Sequence, residues 1–428
     1  MLDLHSIDAS LLDDTLKGYP YGAAPCRIDA IGARGWNALR GDLPFPLALL
    51  KQSALEHNLR WMADFTAAAG VLLAPHGKTT MAPQLFQRQL DAGAWGITLA
   101  TMQQVRLAVK LGLRRIIVAN QLTADIDIAQ AGALIDAHAD LELYFLVDSL
   151  QQFAIVERVA RRAAFTRPFT LLIEVGVPGG RSGCRSAAQA LELARAIHAS
   201  ACALLAGVEC YEGLKVTGDS VTDGAIVADL MADVQRVARA CDAEGLFGTP
   251  HIILSAGGSA VFDLVARALP TILSKPVQTI LRSGCYLTHD AGFYERFARL
   301  VVERSGAVWQ ERPGLRAGLE VWAQVQSQPE PGLAILALGK RDASFDIDLP
   351  MPFALVRDGV HSTLDADWRI DKMNDQHAYL SYPAGAALAM GDLLGCGISH
   401  PCTTFDKWRW LPLVDDQYTV VNAIKTFF

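Results

Sequence analysis

The 428-residue chain has no apolar run long enough to cross a bilayer. It has no surplus of basic residues either: 38 Lys and Arg stand against 45 Asp and Glu, a formal charge of -7. That sign argues against a nucleic-acid surface, and no block of like charges marks an interaction tail. None of the eight cysteines belongs to a C-x-x-C pair. They read as reduced thiols rather than a disulfide framework, so a cytoplasmic setting is expected. The opening MLDLHSIDASLLDD lacks a basic segment followed by an apolar one, and no secretory leader is expected. Low-complexity tracts and long-period repeats are missing too.

What is present is an ordinary globular composition, 51% hydrophobic and 19% charged. The length exceeds what a single core usually supports, so two domains, or one large barrel with an appendage, are expected. Short apolar, β-branched runs alternate with helix-period segments. The strand candidates are 70–76, 95–101, 115–120, 141–149, 169–176, 204–211, 251–258 and 278–286, with stretches such as MQQVRLAVKLGL between them. Eight strands separated by helices predict a parallel (β/α)8 barrel, a doubly wound open sheet being the alternative. After about residue 295 the helical period fades, and LVVERSGAVW, GLEVWAQVQSQ and GLAILALGK alternate instead. We read a barrel over 46–295 and a mostly-β domain over 296–428 that takes in part of 1–45.

Catalytic groups of a barrel gather at the C-terminal strand ends. The first candidate strand ends in APHGKTT, which carries His76 and Lys78. If the backbone stays extended there, these two side chains share a face. The fifth ends in EVGVPGGRSG with Arg181, and the sixth in ECYEG with Tyr211. The seventh ends in SAGGS, with Gly257, Gly258 and Ser259; the eighth ends in RSGCY, with Ser283, Gly284 and Cys285. Glycine-rich turns expose N–H groups that cradle phosphate. Two such turns facing a lysine predict a phosphorylated aldehyde cofactor, its phosphate on the turns and its aldehyde on Lys78. Burial of that lysine would lower its affinity for a proton and free the amine. The plain alternative is a solvated loop lysine beside ordinary turns.

These residues resemble the fold-type III pyridoxal-phosphate enzymes, the alanine-racemase-like barrels, and among them the D-serine dehydratase and D-threonine aldolase family. PHGKT at 75–79 is similar to the family's P-H-x-K-T lysine motif, which implies that Lys78 holds pyridoxal 5'-phosphate with His76 beside it. RSG at 181–183 resembles the R-x-G turn, implying Arg181 as partner of the phenolic oxygen. GVECYEG resembles G-x-x-x-Y-x-G, implying Tyr211 beside the pyridine ring, and AGGS and SGC resemble the phosphate cup. HPCTT at 400–404 resembles the family's metal motif, implying His400 and Cys402 as ligands. On a strand, residues two apart face one way, and imidazole with thiolate favours Zn2+ over Mg2+ or Mn2+.

The resemblance implies elimination of water from a β-hydroxy D-amino acid, giving pyruvate and ammonia from D-serine. A D-threonine aldolase is the competing enzyme; Cys402 stands where the family's aldolases tend to have Asp. A non-catalytic pyridoxal-phosphate carrier is the third reading, against which the β domain and HPC triplet weigh. The expected partner is a small D-amino acid, with neither nucleic acid nor membrane, and the resemblance implies a homodimer. His251 and His377 read as structural or surface histidines, and Cys285 as a packing residue within its turn.

Overall fold

The computed structural model of the chain describes residues 1–213 and 215–428. Eight parallel strands follow one another in chain order: Leu72–Leu73, Ile97–Leu99, Arg115–Gln121, Glu142–Val147, Phe169–Val175, Ala203–Cys210, Ile252–Ala256 and Val277–Leu281. The eighth pairs with the first, and one parallel bridge, His76 to Thr98, joins the first to the second. The N–H of Trp95 donates to the Leu73 carbonyl (2.7 Å) and that of Thr98 to the Pro75 carbonyl (3.0 Å) along the same seam. The sheet thus curls into the expected barrel rather than an open sheet. Its first strand is much shorter than 70–76, because Pro75 has no N–H for the ladder and the chain turns at Gly77.

Side chains two apart along these strands line the interior. Ala74, Ile117, Leu146, Leu172, Ala206, Ile253 and Ile280 form a separate apolar plug. The larger core lies between strands and surrounding helices and continues into the second domain through residues such as Val321, Leu336 and Trp408. Several helices start where a polar side chain accepts a first-turn N–H: Thr101 from Gln104, Ser149 from Gln152, Ser186 from Gln189 and Asp219 from Thr222. These caps end the strand-to-helix loops at the mouth that bears the site. Among the described residues no helix is long and apolar enough to cross a membrane.

The second domain is built on the long strand Leu319–Glu330, flanked by Leu333–Leu336 and Leu393–Gly397. The expected boundary moves. Leu47–Lys51, placed in the barrel by the 46–295 reading, pairs antiparallel with Leu319–Trp322, and its Leu50–Lys51 pair parallel with Leu413–Val414, so it belongs to the second sheet. The barrel begins with the helix Gln52–Ala69. The first residues divide. Asp3 donates its N–H to Leu111 of the barrel (2.8 Å), whereas Leu12, Tyr19, Ile28 and Ile31 share a core with Trp410 and Val420 of the second domain.

Candidate active site

Above the apolar plug, the next inward positions are polar. His76, Glu174, Glu209, Ser255 and Arg282 lie at the strand ends, and Glu174, Glu209 and Ser255 are in register. Arg282, buried, donates from Nη1 to Ser255 Oγ (2.6 Å) and from Nη2 to the Cys210 carbonyl (2.8 Å). The same Nη2 lies 2.6 Å from Glu209 Oε2, yet neither Glu209 oxygen is aligned to accept a hydrogen bond. We take this as a charge contact, because the donor's hydrogens are directed elsewhere. Burial accordingly dominates and pushes the Glu209 carboxyl up to about 8, against the pull of Arg282. Glu174 accepts from Ser182 Oγ (2.9 Å) and from Gln121.

His76 and Lys78 do not share a face. The backbone leaves the strand and makes a 3-10 turn over Gly77–Thr79, so Lys78 is exposed and not buried as expected, while Gly77 and Thr79 are buried. A Cβ on Gly77 would stand 2.8 Å from the Phe86 ring. Burial holds the His76 imidazole well below its ordinary range, and the charges of Lys78, Arg282 and Arg181 add to the effect. Its Nδ1 is buried and has no partner among the described residues.

Arg181 and Tyr211 come together across the mouth: the guanidinium carbon stands 5.1 Å from the centre of the phenol ring. Burial and the neighbouring Glu212 raise the Tyr211 hydroxyl. The two glycine-rich turns also converge. Ser283 Oγ donates to the Gly258 carbonyl (3.0 Å), and Cys285 N–H to Ser259 Oγ (3.2 Å). The expected cup is modified, however. The N–H groups of Gly257 and Gly258 both donate to the buried carboxylate of Glu212, at 3.1 and 2.5 Å. Gly257 sits at φ +147°, and a Cβ there would collide with the Arg282 amide. Among the described residues the N–H groups of Ser259, Ser283 and Gly284 donate to no protein acceptor. Those three, with the unpartnered His76 Nδ1 and the exposed Lys78 amine, fit a phosphorylated aldehyde.

His400 and Cys402 are not on a strand. His400 has a left-handed backbone, φ +63°, and Cys402 begins the short helix Cys402–Phe405. A non-glycine residue in that region carries strain of about 1–3 kcal/mol. The turn is held by the buried Asp290, which accepts the His400 N–H (2.9 Å), and the ring by Asp346, 2.6 Å from Nδ1. Thr403 Oγ1 donates to the other Asp346 oxygen (3.0 Å). Cys402 Sγ reaches Thr79 Oγ1 at 3.5 Å and Cys285 Sγ at 3.8 Å. Burial lowers the His400 pKa, but Cys402 and Asp346 outweigh it and bring the imidazole up to about 9. A hydrogen bond from Cys285 and the charge of His400 hold the Cys402 thiol well below its usual range against burial. Among the described residues no three His, Cys, Asp or Glu side chains already close on one point as ligands. Imidazole and thiolate side by side, with a carboxylate orienting the ring, are nevertheless a zinc donor set.

Asp290, Asp346, Glu209 and Glu212 line the candidate site, as does Tyr294, whose ring centre is 6.2 Å from that of His400; all were missed in the sequence. Glu209 carried a signal, being two residues before Tyr211 on one strand. Asp346, 54 positions from its histidine, carried none.

The alanine racemase N-terminal domain model matches residues 50–275, and a serine dehydratase domain model matches 318–414. The 3-hydroxy-D-aspartate aldolase of Paracoccus denitrificans (strain Pd 1222) is 24% identical over 373 residues, 86% of this chain and 88% of that one. The crystal structure of D-threonine aldolase from Filomicrobium marinum has a TM-score of 0.76 at 22% identity, covering 94% and 98% of the two chains. D-threo-3-hydroxyaspartate dehydratase from Delftia sp. HT23 has a TM-score of 0.71 at 23% identity, covering 92% and 99%. A cysteine-to-alanine variant of D-threo-3-hydroxyaspartate dehydratase, in a metal-free form, is similar at a TM-score of 0.70 and 23% identity, covering 90% and 98%.

Proposed function

Because the chain belongs to the alanine racemase N-terminal domain family, the fold-type III pyridoxal-phosphate barrels, we propose that it is a pyridoxal-phosphate- and zinc-dependent dehydratase. Its substrate would be a β-hydroxy D-amino acid, with D-serine giving pyruvate and ammonia. The observation that carries this is a contact between domains: Cys402 Sγ lies 3.5 Å from the hydroxyl of Thr79, the residue after Lys78. On this reading His400 and Cys402 would act on the same substrate as Lys78.

Pyridoxal phosphate would supply an electron sink for the pair released at Cα, and zinc a Lewis acid for the leaving hydroxyl. Lys78, with its amine free, takes the α-proton as general base. The N–H groups of Ser259, Ser283 and Gly284 would hold the phosphate, and Arg181 and Tyr211 would border the ring. Neutral His76 gives Lys78 no competing positive charge. Asp346 holds His400 by Nδ1, which leaves Nε2 for the metal.

The match of the serine dehydratase domain model to residues 318–414, a span that takes in His400 and Cys402, supports dehydration. The aldolase reading, retro-aldol cleavage of D-threonine or a related substrate, has support in the two aldolases above. A chelation experiment separates them. Treatment with EDTA should abolish pyruvate release from D-serine, and zinc should restore it. Full dehydration by verified metal-free protein would falsify the role of the metal. Glycine release from D-threonine, without pyruvate from D-serine, would install the aldolase reading.

A further inference from the structure

We infer that Cys285 is a third protein ligand of the zinc, so that the metal is held by Cys285, Cys402 and His400. This rests on the metal reading above and departs from the His-x-Cys pair alone. Two ligands are fewer than the three that catalytic zinc sites usually take from protein. Cys285 lies in the turn after the eighth barrel strand, 117 positions from Cys402, and its Sγ is 3.8 Å from Cys402 Sγ. Two thiolates bound at about 2.3 Å in a tetrahedron stand about 3.8 Å apart, which is the edge of that figure. The sulfurs therefore have the separation of a shared metal, whereas a disulfide would need about 2.05 Å.

The surroundings suit two thiolates. The buried Thr79 hydroxyl accepts from Cys402 Sγ at 3.5 Å and lies 3.9 Å from Cys285 Sγ, so it touches both sulfurs. Cys285 N–H is engaged by Ser259 Oγ, which fixes the turn and leaves the sulfur to the metal. The three side chains do not yet close on one point; His400 would bring to the sulfurs its Nε2, the nitrogen that Asp346, at Nδ1, leaves free. Two thiolates and one neutral imidazole balance the charge of Zn2+ and leave the fourth position to substrate. Each domain contributes, so the metal ties the barrel's phosphate turn to the second sheet.

The test reads the metal shell and not turnover. X-ray absorption at the zinc edge of the zinc-loaded holoprotein should show two sulfur neighbours at about 2.3 Å. In Cys285→Ser the sulfur count should fall twofold, to one, and zinc should pass to a competing chelator faster. The wild-type spectrum needs no variant to fold; circular dichroism checks the substituted protein. One sulfur in wild type, unchanged in Cys285→Ser, overturns the third ligand and leaves the His400–Cys402 reading standing. Failure of wild-type holoprotein to retain zinc, with D-serine turnover indifferent to EDTA, overturns both.

Discussion

Lys78 is the residue on which the cofactor reading turns. Borohydride treatment of pyridoxal-phosphate-loaded protein, followed by peptide mass mapping, should place the reduced adduct on Lys78, and Lys78→Ala should show none. The turn that presents it is tightly backed. A Cβ on Gly284 would stand 2.5 Å from the His76 carbonyl oxygen and 3.0 Å from Thr79 Oγ1. Gly284→Ala should therefore cost about 1–3 kcal/mol by overpacking and weaken cofactor binding, as thermal melts and absorbance titration would show. Glu209 makes a prediction about pH. Its folded pKa of about 8 lies above the ordinary carboxyl value of 4.5, so the folded protein holds a proton that the unfolded chain releases. Its contribution to stability is complete below about 4.5 and is lost as pH rises through 8. In cofactor-free protein, Glu209→Gln should remove a decline approaching about 1.4 kcal/mol per pH unit across that window. Parallel stability–pH curves for the two proteins would refute it.

At the scale of elements, the helix Phe293–Arg304 and the His400 turn depend on one side chain. Asp290 accepts the N–H groups of Gly292 (3.1 Å), Tyr294 (3.1 Å) and Glu295 (3.0 Å) at the helix start, as well as that of His400. Its negative charge also suits a helix N-terminus. Asp290→Ala should destabilise the protein by about 1–2 kcal/mol, the loss of a cap, and release the left-handed turn at His400. Zinc retention should fall while the Lys78 adduct persists; equal loss of both would show that the helix supports the whole mouth. The same scale explains why His76 and Lys78 diverge. A proline inside the first candidate strand, Pro75, and the glycine just after it, Gly77, end the ladder early, and two-residue alternation stops there.

For the whole molecule, the proposed function would sit at the joint between domains, since Cys402 comes from one and Lys78 from the other. Asn58, fully buried, spans that joint. Its amide donates to the carbonyls of Leu287 (2.9 Å) and Arg316 (2.8 Å), and its oxygen accepts the Arg316 N–H (2.8 Å). Asn58→Leu would strand two carbonyls and one N–H, so a loss of about 3 kcal/mol is expected in denaturant titration. Zinc retention should drop with it, because the two halves of the site would no longer be held in register. A variant of wild-type stability would show that the domains are joined mainly by apolar contact.

The barrel, the second β domain and the glycine-rich strand ends were legible in the residues, because strand and helix periods are short-range and the backbone freedom of glycine is local. The APHGKTT segment likewise carried its lysine in plain sight. Other features appeared only with the folded chain. Gly257 and Gly258 lost their role as free donors because Glu212, about 45 positions earlier, turns its carboxylate onto them. Cys285, read as a packing residue, lies beside Cys402, and Asp346 beside His400. Such meetings depend on how every intervening loop closes, and on a boundary strand, Leu47–Lys51, that leaves the barrel for the second sheet. A short window records the conformation that its own residues prefer. Which side chains share a low-dielectric pocket, and hence which carry charge or ligate metal, is decided by contacts between windows far apart.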